Sequence, residues 1–170
     1  MSGAFDALVL GTAATAPAAA ASVALRLARR RGGAALILTL GCADAGRQAR
    51  VLAAPSAARL AAELAQQGQV AAACGRLVRI ALPTDEPLPA ALWLSTAAGE
   101  APCVVACCGP RSEQGEVLLQ HAGVVHLVGS EDDPICRLAL DGLRRDGRNA
   151  DLLRPPSGAV TALALLGVGP

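Results

Sequence analysis

Short apolar runs separated by helical patterns constrain the fold of this chain more than any other feature. They lie at residues 7–10, 35–40, 77–82, 103–107, 124–128 and 159–166. Most of them are continuous rather than alternating, which is typical of strands buried on both faces of a parallel sheet. The sequence therefore predicts a mostly parallel sheet of five to seven strands.

Helical patterns lie between these runs. The first helix is expected to follow the first strand directly, with Val23 and Leu27 on its apolar side. In the second, at residues 56–67, Leu60 and Leu64 share one face. Strands alternating with helices predict an α/β fold, a three-layer α/β/α sandwich. At 170 residues, one domain over residues 1–170 is the natural expectation.

The helix after the fifth run has clear end signals. Asp133 is an acidic N-cap, Pro134 occupies the first turn, and Gly147 ends the helix. Its pattern predicts that Ile135, Leu138 and Leu143 point inward. Residues 83–89 and 154–158 are expected to be connections.

The segment from Gly11 to Ala18 has the frame of a phosphate-binding loop without its phosphate-binding residues. A strand, a glycine, a small-residue loop and a helix are the setting of the P-loop motif G-x-x-x-x-G-K-[ST], which gives the topology a P-loop-NTPase-like character. Ala16 stands at the second glycine, Pro17 at the lysine, and Ala18 at the hydroxyl that would hold Mg²⁺. We therefore predict no catalytic, cofactor-binding or metal-binding residues in this loop.

Composition and charge exclude several partner classes. The formal net charge is +1, and all fifteen basic residues are arginines. Because this balance offers no basic surplus, neither nucleic acid nor an acidic membrane is an expected partner. No segment resembles a signal peptide or a membrane span, so we expect a cytoplasmic protein without membrane insertion.

The cysteines and histidines form no recognisable metal motif. There is no C-x-x-C pair and no histidine at zinc-finger spacing. We expect the cysteines to be reduced, with those in the fourth run buried as small hydrophobes, and His121 and His126 to be surface or packing residues. The six cysteines are Cys42, Cys74, Cys103, Cys107, Cys108 and Cys136.

Short sequence features at the ends of the later predicted strands can be compared with a known family. The third run ends in Leu82-Pro83, the fourth run leads into Gly109-Pro110, and residues 120–128 resemble an "A-D-x-v-i-x-V" step. With the strand and loop order, these features resemble the deviant-Walker ATPases of the MinD/ParA type. That family includes the pilus-assembly localisation proteins of the CpaE/TadZ kind.

The resemblance also indicates which family residues are missing. The family loop K-G-G-x-G-K-[ST] falls on residues 12–18, where Thr12 and Pro17 replace its two lysines. The D-x-D that ends the second strand is replaced by Thr39-Leu40-Gly41. Cys108 replaces the acid of D-x-P-x-G, and Gly123 replaces the aspartate of the next step.

The resemblance therefore implies a non-catalytic protein that acts as a localisation factor, scaffold or partner subunit in pilus, secretion or division systems. We expect a protein partner and a possible homodimer whose apolar interface forms without nucleotide, with Trp93 as its anchor.

A second function class remains open, a small doubly wound α/β enzyme or ligand-binding protein. Its site would lie at the carboxyl ends of the strands, around Asp44, Arg111 and Glu131. Residues 131–133 also fit a simpler role as the cap and first turn of a helix.

Overall fold

The computed structural model describes residues 3–42, 52–108 and 113–157. The longest helix in these ranges has 16 residues, and none is both long and apolar enough to cross a membrane. The elements are β1 (Phe5–Gly11), α1 (Ala16–Arg31), β2 (Ala35–Leu40), α2 (Pro55–Gln66), β3 (Ala72–Cys74), β4 (Leu77–Ala81), α3 (Pro87–Ala97), β5 (Cys103–Cys108), α4 (Glu113–Leu119), β6 (Ala122–Val128), α5 (Pro134–Arg145) and β7 (Ala150–Leu153).

The strands form one sheet in the order β3-β4-β2-β5-β1-β6-β7. All neighbouring pairs are parallel except β3 and β4, which are antiparallel. The predicted mostly parallel sheet is therefore confirmed, and β1 leads directly into α1. The strand predicted at residues 159–166 lies outside the described residues.

Two strands were not predicted from the sequence. β3 has only three residues, Ala72–Cys74, and the four residues of β7 include the polar Asp151. Both depend on pairing with a neighbour, β4 for β3 and β6 for β7. Helix α3 also begins at Pro87, inside the segment predicted as a connection, since proline is well suited to a first helical turn.

Helices cover both faces of the sheet. Helix α1 packs on one face, and α2, α3, α4 and α5 pack on the other. As predicted, Val23 is buried, and Leu27 packs at the margin of that core. Most of the buried face of α1 consists of alanine, whose short side chain lets the helix axis lie close to the strands. These alanines are Ala16, Ala18, Ala19, Ala20, Ala21, Ala24 and Ala28.

Helix α5 is rotated relative to the expected orientation. Ile135 and Leu138 are 66% and 73% exposed, so the prediction that they point inward is wrong. Cys136 and Leu140 pack against the core in their place, and Leu143 packs there as predicted; the spacings of four and three residues put all of them on one helix face. On the same side of the sheet, α2 buries Leu60 and Leu64 as predicted.

A glycine explains the orientation of α5. A Cβ on Gly129, just after β6, would lie 2.3 Å from the Cys136 sulfur. The first turn of α5 therefore rests against the backbone at Gly129, with Cys136 turned toward the sheet. This close contact leaves Ile135 and Leu138 on the solvent side.

Asp6 ties together three elements at the amino edge of the sheet. Its Oδ2 accepts the Cys103 N–H at 2.9 Å, and its Oδ1 pairs with the Arg31 guanidinium. Arg31 also donates to the Glu100 carbonyl oxygen at 3.2 Å. One carboxylate thus links β1, the start of β5 and the end of α1.

We predict that Asp6→Ala destabilises the protein by about 1–3 kcal/mol, because it leaves the Cys103 N–H without its acceptor. Arg31→Ala should lower the free energy of unfolding by only about 0–1 kcal/mol, since its ion pair is half-exposed. Chemical denaturation measures both changes. Arg59→Ala, which removes an exposed pair with Glu63, is the control. A loss for Asp6→Ala no larger than that control would contradict the assignment.

Candidate functional site

Three strands end together beside the loop after β1. Gly11 is in register with Cys108 at the end of β5, and Leu40 of β2 is in register with Cys107. The Gly41-Cys42 turn after β2 therefore reaches the same edge. In open α/β sheets, ligands bind at this carboxyl edge.

Between β1 and α1, the loop is hydrogen-bonded to itself. The Thr12 N–H donates to the Thr15 hydroxyl oxygen at 3.0 Å, and the Thr15 N–H donates to the Thr12 hydroxyl oxygen at 3.1 Å. The two hydroxyl oxygens are 2.9 Å apart and share a further hydrogen bond. The Ala16 N–H donates to the Thr12 carbonyl oxygen at 3.0 Å.

Glycine is required at position 11 because the threonine hydroxyl fills the space beside it. A Cβ on Gly11 would lie 2.8 Å from the Thr15 hydroxyl oxygen and 3.2 Å from the Ala16 nitrogen. Ala16 and Ala18 are buried, whereas Ala13 and Ala14 are exposed at the tip of the turn. The loop closes on itself over only four residues.

Three N–H groups of this loop are used in hydrogen bonds within the loop itself. A phosphate cradle presents several backbone N–H groups to the ligand at a helix N-terminus. Here the N–H groups of Thr12, Thr15 and Ala16 already have acceptors within the loop. Pro17 has no N–H and supplies no cation.

Cys42 and Cys108 form a disulfide, with 5.5 Å between their Cα atoms. The expectation that all the cysteines are reduced is therefore wrong for these two. Sixty-six residues separate them in sequence, so no local spacing signals the pair. Adjacency of β2 and β5 brings them together.

Gly41 makes the disulfide possible. It has a φ of +69°, and a Cβ there would lie 3.0 Å from the Cys108 carbonyl oxygen. A larger residue would be strained in this backbone conformation and would press on β5. The turn therefore brings Cys42 back across the end of the neighbouring strand.

The other cysteines of β5 behave as predicted. Cys103 and Cys107 are 2% and 0% exposed and pack in the core. Burial raises the pKa of the Cys103 thiol to about 12, and the nearby Asp6 carboxylate adds to the effect. This thiol therefore remains protonated and chemically inert.

The alternative site is not brought together within the described residues. Asp44 and Arg111 lie outside them, and Glu131 is exposed in the turn before α5. Asp133 is the N-cap of α5, as predicted, and accepts the Ile135 N–H at 2.9 Å. That hydrogen bond, joined by one from the Cys136 thiol, lowers the pKa of the Asp133 carboxyl.

The histidines do not form a metal site. His126 on β6 is largely buried, and its Nδ1 contacts the Asp151 carboxylate on β7. The His121 carbonyl oxygen accepts the Phe5 N–H at 3.3 Å. Within residues 3–42, 52–108 and 113–157, no three His, Cys, Asp or Glu side chains are grouped as metal ligands require.

A groove of about 360 Å³ lies at the opposite, amino edge of the sheet. Arg29 from the end of α1 and Arg76 from the β3–β4 turn line it, with Leu52 at its rim. Its lining includes no carboxylate, histidine or thiol that could act as an acid, base or nucleophile. Because it lies at the amino edge, the groove is separate from the Gly11 loop at the carboxyl edge.

The fold is similar to that of a solved ParA family ATPase. The crystal structure of a ParA family ATPase from Chlorobium tepidum TLS is 12% identical, with a TM-score of 0.54 over 98% of this chain and 82% of that chain. The kinase domain of Escherichia coli tyrosine kinase ETK is 13% identical, with a TM-score of 0.46 over 91% and 68%. No family model and no curated sequence matches this chain. The first similarity shows a ParA/MinD-like α/β fold with P-loop-NTPase topology.

We predict that Gly11→Ala lowers the free energy of unfolding by about 1–3 kcal/mol, because its methyl group overlaps the Thr15 hydroxyl. Thr15→Ala should cost about 1 kcal/mol through the lost hydrogen bond from the Thr12 N–H. In the double variant the methyl group gains the vacated space, so the combined loss should fall short of the sum by about 0.5 kcal/mol or more.

Chemical denaturation of the wild type, both single variants and the double variant provides the measurement. Additive losses would show that the Thr15 hydroxyl does not occupy the space beside Gly11.

Proposed function

We propose that this chain is a non-catalytic MinD/ParA-like protein that works as a localisation factor, scaffold or partner subunit. The observation that carries the proposal is the loop from Thr12 to Thr15. The N–H groups of Thr12 and Thr15 are hydrogen-bonded within the loop, where a P-loop ATPase presents such groups to phosphate. A loop closed in this way joins a strand to a helix and leaves the fold intact.

Other positions of the resemblance support the same proposal. Pro17 stands where the family has the lysine that contacts phosphate, and the position of the acid on β5 is taken by Cys108. Mg²⁺ prefers oxygen ligands, and a cysteine side chain has none to supply. Because Cys108 is bonded to Cys42, neither sulfur is a free thiolate that could act as a base for water. The chain has the hydrophobic pattern of the fold but lacks the lysine and the acid that would contact phosphate and Mg²⁺.

A role without catalysis requires a contact surface, and the helices α3 and α4, which contact β2 and β6 respectively, offer one. Trp93 on α3 and Val117 on α4 are 44% and 42% exposed, and these two helices pack against each other. Large exposed apolar side chains on adjacent helices are typical of protein contacts, with tryptophan the most frequent anchor. We propose this surface for a protein partner or a second copy of the chain.

The finer assignment follows the CpaE/TadZ-type pilus localisation proteins. These pilus-assembly localisation proteins are among the members of the resembled family. On this proposal the chain works in the cytoplasm, in a pilus, secretion or division system. Trp93 would then contact a component of that system.

We predict that the purified protein neither hydrolyses ATP nor binds Mg²⁺-ATP with a Kd tighter than about 1 mM. Isothermal calorimetry tests binding, and phosphate release tests hydrolysis. Pro17→Lys is the matched variant, because it restores the missing cation but leaves the loop N–H groups hydrogen-bonded to the threonines. It should also fail to bind.

A saturable, Mg²⁺-dependent isotherm for the wild type would overturn the proposal. Binding by Pro17→Lys alone would show that the missing cation, rather than the closed loop, abolishes nucleotide binding. A thermal melt of the variant confirms that it is folded.

Self-association, where it occurs, should be apolar and independent of nucleotide. We expect sedimentation to give the same mass distribution with and without Mg²⁺-ATP, and a dimer Kd that changes by less than about threefold between low and high salt. Trp93→Ala should weaken any dimer by roughly tenfold or more, since a central aromatic anchor carries much of the binding energy.

Leu138→Ala is the control for this experiment. Leu138 is 73% exposed on α5, away from the proposed surface, so its loss should leave the dimer unchanged. A dimer that forms only with ATP, or that responds to Leu138→Ala instead of Trp93→Ala, would contradict the proposed surface.

A further inference from the structure

The disulfide lies at the carboxyl edge of the sheet, where open α/β folds bind their ligands, although neither cysteine belongs to a redox motif. Cys108 is the last residue of β5 and is in register with Gly11, and Cys42 follows the end of β2. Their sulfurs therefore join two neighbouring strand ends next to the loop that begins α1. The 5.5 Å between the Cα atoms is within the ordinary range for a disulfide.

From this arrangement we propose that Cys42 and Cys108 are a reversible thiol–disulfide site that reacts with low-molecular-weight disulfides of the glutathione class. When oxidised, the pair ties the carboxyl end of β2 to that of β5. When reduced, it releases this link and leaves the sheet in place.

Accessibility separates this pair from the other cysteines of the same strand. Cys42 and Cys108 are half-buried, whereas Cys103 and Cys107 are buried. Thiol–disulfide exchange requires an attacking sulfur to approach along the S–S axis, so an enclosed thiol does not react. Of the cysteines on β5, only Cys108 is partly exposed and joined to another cysteine.

The two remaining cysteines cannot substitute for the pair. Cys74 lies on β3 at one edge of the sheet, and Cys136 lies on α5, over the end of β6 near the other edge. The width of the sheet separates them, which excludes a disulfide between them. Cys136 also donates its S–H to the Asp133 carboxylate at 3.4 Å, and burial with this contact raises its pKa.

Carbonyl oxygens near Cys42 could accept a hydrogen bond from its S–H group in the reduced state. In the disulfide-bonded structure the Cys42 sulfur lies 3.6 Å from the Leu40 carbonyl oxygen and 3.9 Å from that of Ala106. A thiol formed at this position on reduction would have these carbonyl oxygens as acceptors for a weak S–H hydrogen bond. We therefore expect reduction to leave the strands in place.

Oxidation proceeds by two exchange steps. A thiolate of the pair attacks one sulfur of oxidised glutathione, forms a mixed disulfide and releases one glutathione thiolate. The second cysteine thiolate then attacks the protein sulfur of that mixed disulfide and releases the second glutathione. The protein loses two electrons and two protons, and the small disulfide becomes two thiols.

The cross-link should also stabilise the fold. Because it closes a loop between residues 66 apart, it restricts the unfolded chain strongly. The oxidised protein should therefore melt roughly 10 °C above the reduced protein.

The test equilibrates the folded protein in glutathione buffers that range from reducing to oxidising. Thiols are then counted after denaturation, and the bonded peptides are mapped by mass spectrometry. We expect the count to fall from six to four per chain, the loss to map to Cys42 and Cys108, and dithiothreitol to restore it without denaturant. The Tm of both forms is measured in parallel.

Cys42→Ser and Cys108→Ser should each abolish the redox-dependent Tm difference, whereas Cys74→Ser and Cys136→Ser should keep it. A constant count of six, a loss at other cysteines, a disulfide that resists dithiothreitol in the folded state, or equal Tm values would each overturn the proposal. Should a serine variant fail to fold, the peptide map and the two wild-type melts decide the question.

Discussion

Strands β2, β5 and β1 are hydrogen-bonded along both sides and covered by side chains on both faces, so their peptide groups must pair with one another. Their side chains are almost all apolar because a polar side chain buried between the helical layers would have no hydrogen-bond partner. Asp6 is the charged residue in these strands, and it lies at the amino edge, where the Arg31 guanidinium and the Cys103 N–H bind it.

The alanine face of α1 follows from the same central strands. Small side chains at Ala20 and Ala24 let the helix lie close above β1, β2 and β5, whose inward residues on that face include Ala7 and Ala106. A helix so close to the sheet can be reached from β1 by a short connection. In a nucleotide-binding member of such a fold this connection wraps a phosphate, whereas here Thr12 and Thr15 close it.

The sequence predicted the central strands because a run such as residues 35–40 is apolar regardless of its neighbours. It did not predict β3, which has only three residues in a hairpin with β4, or β7, whose pairing with β6 depends on residues about 25 positions away. The orientation of α5 was missed for a related reason: Ile135 looks like a core residue until the contact between Gly129 and Cys136 sets the rotation of the helix.

At the candidate site, the losses at Ala16, Pro17 and Ala18 could be seen in the sequence because each position has a required residue type. The threonine hydrogen bonds could not, since Thr12 and Thr15 match no motif. The disulfide was also missed, because only the order of the strands places Cys42 beside Cys108.

The two edges of the sheet limit how copies of this protein can meet. An edge strand with free N–H and C=O groups invites another chain to add a strand, which leads to open-ended aggregation. Here β3 offers only Ala72–Cys74, and the outer strand β7 runs into Pro155 and Pro156, which have no N–H to donate. Along these edges, as far as residues 3–42, 52–108 and 113–157 define them, little backbone is offered to a further strand, which favours contacts through the helical layers.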